Sequence, residues 1–107
     1  MQQWTVHLHP DADAELRALP LDVQARLLRV ADLLKTFGPQ RVGMPHVRPL
    51  DGKLWEMRAQ GRDGIARAIY IAMRGRTLTV LHVFVKKTQT TPRAALETAR
   101  RRLEAMQ

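Results

Sequence analysis

Residues 80–92 read VLHVFVKKTQTTP, and this segment decides the architecture of the chain. Its first half is apolar apart from His82 and is typical of a buried strand. Its last two residues, Thr91 and Pro92, are typical of the N-cap and first turn of a helix. Lys86 and Lys87 lie between them, on a rigid strand end where a protein can hold positive charge against a phosphate. We interpret the TQTTP portion mainly as the start of the last helix.

The segments around this one complete the second half of the fold. Strands are predicted over residues 53–60, 65–73 and 77–85, because short Gly-containing links separate them. They form an antiparallel meander. A helix is predicted over residues 92–106, with its apolar side formed by Leu96, Ala99, Leu103 and Met106.

The N-terminal half predicts one strand and two helices. Residues 3–9 alternate apolar and polar side chains, as a half-buried strand does. Asp11 is predicted to cap a short helix that runs to Leu19. Residues 21–37 form the clearest helix, with an apolar stripe of Val23, Leu27, Val30, Leu34 and Phe37. Residues 38–52 contain three prolines and three glycines and are predicted to be irregular.

The expected fold is therefore a single α+β domain over residues 1–107, in the order β-α-α-β-β-β-α. Its antiparallel meander sheet is covered on one face by the two N-terminal helices, because the apolar stripe needs a partner. The other face is expected to be open and to carry function.

The charge of the chain is concentrated in its second half. There are 18 Lys and Arg residues against 10 Asp and Glu, a net charge of +8. Residues 1–51 balance six basic against six acidic side chains, whereas residues 52–107 hold 12 basic and four acidic ones. Such a one-sided field favours a polyanionic partner, most simply nucleic acid, over a merely solvated face.

The composition also excludes several classes. The absence of cysteine excludes disulfides, thiolate catalysis and cysteine-based zinc sites. The N-terminus lacks the pattern of a secretory signal, and no apolar run approaches the roughly 20 residues that span a bilayer. We expect a cytoplasmic protein without a membrane partner, and no cofactor or metal, because no histidine pair has a credible third ligand.

Strand alternation brings a set of cations together. Arg58, Arg67 and the Lys86 end are expected to converge on the face opposite the helices, where they could stabilise charge on a phosphate. Glu56 is the only carboxylate predicted there and is a candidate general base, although Glu56 and Arg58 could equally form a plain ion pair. RNA supplies its own 2′-OH nucleophile, so this chemistry requires no metal in principle.

The same alternation assigns the neighbouring side chains to faces. It places Lys86 on the face of Val80, His82 and Phe84, with Lys87 on the opposite face. His82 is predicted to be a hydrogen-bonded core histidine and Tyr70 a core residue, whereas His46 is expected to be incidental and His7 and His9 to lie on the surface.

Aromatic residues are scarce for a protein that reads single strands. The chain has two Trp, one Tyr and two Phe residues, and only Phe84 is expected near the basic site. This scarcity favours a protein that depends on another macromolecule to present its RNA.

Three motifs resemble one known family. LWEMR (residues 54–58), Gly64-Ile65-Ala66-Arg67 with Tyr70, and LHVFVKKTQTTP (residues 81–92) resemble the RelE/HigB superfamily of toxins of type II toxin–antitoxin systems. The phage-derived HigB-like branch is the most similar, and the resemblance covers nearly the whole chain. It implies a RelE-like fold and a ribosome-dependent mRNA endoribonuclease. In that reaction the 2′-OH attacks the adjacent phosphate and leaves a 2′,3′-cyclic phosphate and a 5′-OH.

The resemblance also implies partners. It implies a cognate helix-turn-helix antitoxin of the HigA type, mRNA on the ribosome together with 16S rRNA, and operator DNA bound only through the antitoxin complex. By position, Arg58, Arg67, Lys86 and Lys87 match the basic residues of the family's strands. Some members carry a His-Tyr or Tyr pair where this chain has Lys86-Lys87-Thr88.

These arguments give two sets of predicted site residues. The catalytic set is Arg58, Arg67, Lys86 and Glu56. The substrate-binding set is Lys53, Lys87, Phe84 and Arg93. Two alternatives remain open at this point: a non-catalytic ParE-like inhibitor of DNA gyrase, for which the strand cations would be incidental, and a plain basic nucleic-acid-binding domain.

Overall fold

The computed structural model describes residues 3–43, 46–87 and 89–106. Its elements follow one another along the chain as β1 (Thr5–Leu8), α1 (Pro10–Arg17), α2 (Leu21–Phe37), β2 (Val47–Asp51), β3 (Leu54–Gln60), β4 (Ile65–Met73), β5 (Thr77–Lys86) and α3 (Arg93–Met106). None of the helices in these ranges is long and apolar enough to cross a membrane.

The sheet has five strands in the order β1-β5-β4-β3-β2. The strands from β3 to β5 form the predicted antiparallel meander, and β2 extends it at one edge, but β1 pairs with β5 in parallel, so the sheet is mixed. The predicted α+β class is confirmed, whereas the expectation of a purely antiparallel sheet is wrong. β1 runs parallel because the chain crosses over through α1 and α2 before the meander begins.

β2 is a strand that the sequence interpretation missed inside the stretch predicted to be irregular. Pro49 is accommodated because β2 is an edge strand, where a missing N–H interrupts no pairing. Asp51-Gly52 is a typical hairpin dipeptide, and Gly52 adopts a φ of 57°. The true element order is therefore β-α-α-β-β-β-β-α.

α2 covers one face of the sheet, as its stripe predicted. Val23, Leu27, Val30 and Leu34 are buried in one core cluster together with Met57, Ala59 and Tyr70 of the sheet. Phe37 departs from the prediction, because it ends the helix and remains 48% exposed. The helix stops at Gly38, whose φ of 83° suits a residue without a side chain.

The start of α1 also differs from the prediction. The helix begins at Pro10, and its N-cap is His9, whose Nδ1 accepts a hydrogen bond of 3.1 Å from the Asp11 amide. Asp11 lies within the first turn, where its charge still suits the helix dipole.

α3 packs on the face that was expected to be open. Ala95 and Ala99 are buried against Ile69, Ile71 and Leu81 in a second core cluster. This face is therefore covered over its middle, and the cations that it carries lie beside α3 rather than on an open surface.

A β-bulge in β5 changes one of the predicted faces. Ile69 pairs with His82 and Tyr70 with Val80, which leaves Leu81 as the extra residue. Val80 consequently belongs to the core under α2, and does not share the face of Phe84 as predicted.

A polar cluster satisfies the backbone at this bulge. Glu15 of α1 accepts hydrogen bonds of 3.0 Å from the Val83 amide and 2.8 Å from Arg102 of α3, and Arg102 also donates to the Leu81 carbonyl at 2.9 Å. His82 Nδ1 lies 3.0 Å from the same Glu15 oxygen, so His82 is hydrogen-bonded as predicted, although it is only partly buried and lies outside both core clusters. The cluster links α1 to α3, which belong to different hydrophobic clusters.

Replacing Glu15 with glutamine is expected to lower the free energy of unfolding at neutral pH by about 1–2 kcal/mol, after allowance for its partial exposure. Burial alone would raise the pKa of Glu15, but hydrogen bonds from Arg102, the Val83 amide and His82 lower it from 4.5 to about 2. Its stabilising contribution is therefore present above pH 4.5 and lost as the pH falls towards 2. Urea unfolding followed by tryptophan fluorescence at several pH values measures the difference.

Wild type and variant should converge in acid, where Glu15 is protonated. Glu104→Gln, at an exposed position of α3, is the matched control and should change little at any pH. A Glu15→Gln deficit that persists unchanged to low pH would contradict the electrostatic origin of the effect.

Candidate functional site

Four charged side chains are brought together by the register of the sheet, on the face towards α3. Arg58 of β3 lies directly opposite Arg67 of β4, and Glu56 of β3 lies opposite Arg48 of β2. Residues opposite each other in neighbouring strands have Cβ atoms about 5 Å apart. We refer to Arg48, Glu56, Arg58 and Arg67 as the arginine cluster.

Glu56 balances the charge of this cluster. Its side chain is 0% exposed, and its Oε1 accepts from Arg58 Nε at 2.6 Å and from Arg48 Nε at 3.3 Å. Its Oε2 accepts from the Thr91 hydroxyl at 2.5 Å. The ion-pair interpretation of Glu56 and Arg58 therefore describes the contact. Because both oxygens are occupied, this arrangement offers no free carboxylate oxygen to a substrate.

Arg67 is the most unusual member of the cluster. It is 0% exposed, and its Nη1 donates to the Thr90 carbonyl at 2.9 Å. Among the described residues, its Nε and Nη2 have no hydrogen-bond partner. Burial lowers the pKa of Arg67, the charge of Arg58 lowers it further, and Glu56 partly offsets both. A buried guanidinium with unused donors is a group that an anion would satisfy.

A short segment covers the cluster, and we call residues 89–91 the strap. The Gln89 carbonyl accepts from Arg48 Nη2 at 3.3 Å and also contacts Arg58 Nη2, while the Gln89 side-chain oxygen accepts from Arg58 Nη1 at 3.2 Å. Thr91 also accepts from Arg48 Nη2, at 3.2 Å. The TQTTP segment was interpreted mainly as the start of a helix. Its residues 89–91 also form hydrogen bonds with all four members of the cluster, and Thr88 lies outside the described residues.

A cleft of about 500 Å³ adjoins the cluster and reaches α2. Its lining is basic above an apolar floor and consists of Arg26, Arg29, Val30, Leu33, His46, Arg58, Ala59, Gln60, Ile65 and Gln89. Arg26 is fixed at the rim by a 2.7 Å hydrogen bond to the Gln60 carbonyl. His46, predicted to be incidental, lines this cleft.

The other predicted catalytic residue, Lys86, lies near the cluster. It pairs with Ile65, which makes it a diagonal neighbour of Arg67 at about 7–8 Å between strand positions. Lys86 is exposed, as is Lys87, which lines a shallow depression with Asp63 and Gln89.

The remaining predicted substrate-binding residues have a weaker connection to the arginine cluster. Phe84 lies opposite Arg67, but its ring stacks on His82 with centroids 4.9 Å apart. Arg93 is exposed at the first position of α3. Lys53 lies in the β2–β3 turn, about 17 Å from Arg58 along the strand, and the structure does not bring it to the cluster.

Sequence reasoning missed Arg48 and the strap. Arg48 was missed together with β2, although the Asp51-Gly52 turn indicated a hairpin that would place a strand beside Glu56. The strap contacts the cluster partly through the backbone carbonyls of Gln89 and Thr90, which carry no signal in the amino-acid sequence.

Two further observations concern potential ligands. In the part of the chain that the structure describes, no group of three or more His, Asp or Glu side chains could hold a metal ion. Tyr70 lies fully buried in the core, as predicted, and burial raises its pKa.

Comparison with known proteins gives one family. The model described as "Phage derived protein Gp49-like (DUF891)" matches residues 14–104 of the chain. None of the curated proteins is a significant match to the sequence.

Solved structures with the same fold are RelE proteins. The archaeal RelE–RelB complex from Pyrococcus horikoshii OT3 is 23% identical, with 83% of this chain and 100% of that chain covered and a TM-score of 0.61. The toxin–antitoxin complex RelBE2 from Mycobacterium tuberculosis is 20% identical, with 78% and 99% covered and a TM-score of 0.58. A mutant of the E. coli toxin RelE in the free state is 16% identical, with 95% and 99% covered and a TM-score of 0.59. The predicted RelE-like fold is thereby confirmed.

Proposed function

Because the chain belongs to the family of phage-derived Gp49-like proteins and has the RelE fold, we propose that it is the toxin of a type II toxin–antitoxin system and cleaves mRNA on the ribosome. The resemblance to the phage-derived branch of the RelE/HigB superfamily is confirmed by the same comparisons. The activity itself is supported by one observation above others: a buried arginine with unused donors, Arg67, held beside a second arginine on a rigid sheet.

The arginine cluster suits the chemistry of RNA self-cleavage. Arg67 and Arg58 would bind the non-bridging oxygens of the scissile phosphate and stabilise the additional negative charge of the pentacoordinate transition state. The 2′-OH loses its proton to water and its oxygen forms a bond to phosphorus, while the bond from phosphorus to the 5′-oxygen breaks. The products are a 2′,3′-cyclic phosphate and a 5′-OH.

The remaining residues have supporting roles in this proposal. Lys86, an exposed amine diagonal to Arg67, is placed to protonate the leaving 5′-oxygen. Glu56 holds Arg58 and Arg48 in position rather than acting as the base, because both of its oxygens are occupied. Lys87, together with Arg29 of the cleft, would follow the RNA backbone electrostatically.

Among the described residues, no Phe, Tyr or Trp ring is free at the site, which supports a dependence on the ribosome. The ring of Phe84 stacks on His82 within the protein, and the cleft is floored by aliphatic side chains. A site without stacking rings holds single-stranded RNA weakly, so the ribosome with its 16S rRNA would have to present the mRNA. A cytoplasmic location follows from this substrate.

The proposed partner is a helix-turn-helix antitoxin of the HigA type, through which alone the toxin would reach operator DNA. The Pyrococcus and Mycobacterium structures are themselves complexes of a toxin with its antitoxin. This supports a dedicated protein inhibitor for the present chain as well.

Mapping transcript ends during expression in bacteria tests the function. We expect growth arrest together with new 5′-OH ends inside translated reading frames, and fewer such ends when initiation of translation is blocked. Arg101→Ala, which removes a charge from the far half of α3, should leave the pattern unchanged. Intact transcripts accompanied by DNA damage would instead indicate a gyrase inhibitor, and cleavage that does not depend on translation would contradict the ribosomal step.

A further inference from the structure

We propose that the strap is an autoinhibitory plug, whose carbonyl oxygens occupy the positions that RNA phosphate oxygens take when the site is engaged. This inference rests on the proposed function and concerns the regulation of the same site. The free protein would be held closed by its own backbone, and the site would open when a phosphodiester displaces residues 89–91.

The hydrogen bonds of the strap support this mimicry. The Gln89 carbonyl is shared by Arg48 and Arg58, and the Thr90 carbonyl accepts from Arg67. Three guanidinium groups thus converge on two backbone oxygens from one short segment. Guanidinium donors engage carbonyl and phosphate oxygens with the same geometry, so the strap and an RNA phosphate compete for the same N–H groups.

The strap is nevertheless an incomplete substitute for phosphate. It leaves Arg67 Nε and Nη2 without partners among the described residues, in a position that is 0% exposed. A phosphate carries negative charge and can accept two parallel N–H groups from one guanidinium, whereas a backbone carbonyl is neutral. A phosphate could therefore both satisfy the unused donors and displace the carbonyls, which makes the closed state stable only while no RNA is held at the site.

Opening the strap disturbs little of the fold. Gln89 and Thr90 are exposed, and they lie between the end of β5 at Lys86 and the start of α3 at Arg93, outside the hydrophobic clusters. Two side chains anchor the strap: the Gln89 side-chain oxygen accepts from Arg58, and the Thr91 hydroxyl donates to Glu56 and accepts from Arg48. Loosening either anchor should shift the equilibrium towards the open form.

Replacing Thr91 with valine tests the plug, because valine keeps the shape of the side chain and removes the hydroxyl. The probe is a short 2′-O-methyl RNA oligonucleotide, which cannot be cleaved, titrated into the isolated full-length protein. We expect binding at least roughly fivefold tighter than wild type, because losing even one of the two hydrogen bonds of this hydroxyl, at ordinary net strength, shifts the fraction of open molecules by that factor. Thr98→Val, which removes a hydroxyl bonded to the Ala94 carbonyl on α3, should bind like wild type.

The outcomes separate this inference from the function. Equal or weaker binding by folded Thr91→Val would overturn the plug. The proposed mRNA cleavage would be unaffected by that result, because the mapping of transcript ends tests it independently. Binding by neither protein would overturn the plug and the phosphate site together. If Thr91→Val does not fold, the Arg67 side-chain N–H resonances of the wild type decide: a shift on adding the oligonucleotide supports displacement, and no shift while Arg58 responds contradicts it.

Discussion

Replacing Arg67 with methionine is expected to reduce mRNA cleavage on programmed ribosomes by at least about 100-fold, the usual cost of losing one preorganised donor to a transition-state charge. The same change should leave the free energy of unfolding unchanged or raise it by up to about 2 kcal/mol. Methionine fills a similar space, needs no hydrogen bonds, and removes the repulsion between Arg67 and Arg58. This repulsion is real in the wild type, because the pKa of Arg67 is lowered first by burial and then by the charge of Arg58.

The two halves of this prediction have separate measurements. Rates of cleavage are compared with those of Arg17→Met, the same chemical change at an exposed position of α1, which should leave cleavage intact. Unfolding in urea gives the stability. A folded Arg67→Met protein that cleaves at the wild-type rate would remove Arg67 from the mechanism, and a large loss of stability would show that the arginine is retained for the fold.

Replacing Glu56 with glutamine should have the largest effect on stability, a loss of about 3 kcal/mol. The carboxylate is 0% exposed and is the partner of both Arg48 and Arg58. Without it, three guanidinium groups share one site with no counter-charge, and the cost of their burial is no longer offset.

Added sulfate offers a sharper test of this explanation. A sulfate ion that binds between the three arginines of Glu56→Gln should replace the missing negative charge and restore much of the lost stability. It should stabilise wild type less. Glu97→Gln on α3 is the control, because that side chain is exposed. Its stability and its response to sulfate should both match those of wild type. A sulfate response equal in the three proteins would indicate a general salt effect.

Much of the fold could be predicted from hydrophobic periodicity. The boundaries of α2 and β4 were predicted correctly, α2 from the helical spacing of its buried residues and β4 from a run of apolar residues between two Gly-containing turns. β2 could not be found in the same way, since Pro49 and a short edge strand weaken the pattern. The bulge at Leu81 reversed one face assignment because an inserted residue leaves no mark on alternation.

The candidate site could be predicted only in part, for a related reason. Arg58 and Arg67 were found because the alternation of side chains along paired strands places both on the same face of the sheet. Glu56, two residues before Arg58, was found on that face for the same reason. The burial of Arg67 was not foreseen, because it depends on the strap, whose backbone carbonyls are common to every residue type. Long-range backbone contacts of this kind become visible only in the folded chain.

The parallel pairing of β1 with β5 has a consequence for how the protein is made. Thr5 pairs with Thr77, near the other end of the chain, so this edge of the sheet cannot form until most of the polypeptide has left the ribosome. Contacts between distant residues also form slowly, because a long loop must close before they stabilise anything. A nascent chain that stops before β5 thus lacks the strand that bears Phe84 and Lys86 and the strap that follows it. Assembly of the site is therefore tied to synthesis of β5 and the strap, and a copy truncated before them would carry no assembled site.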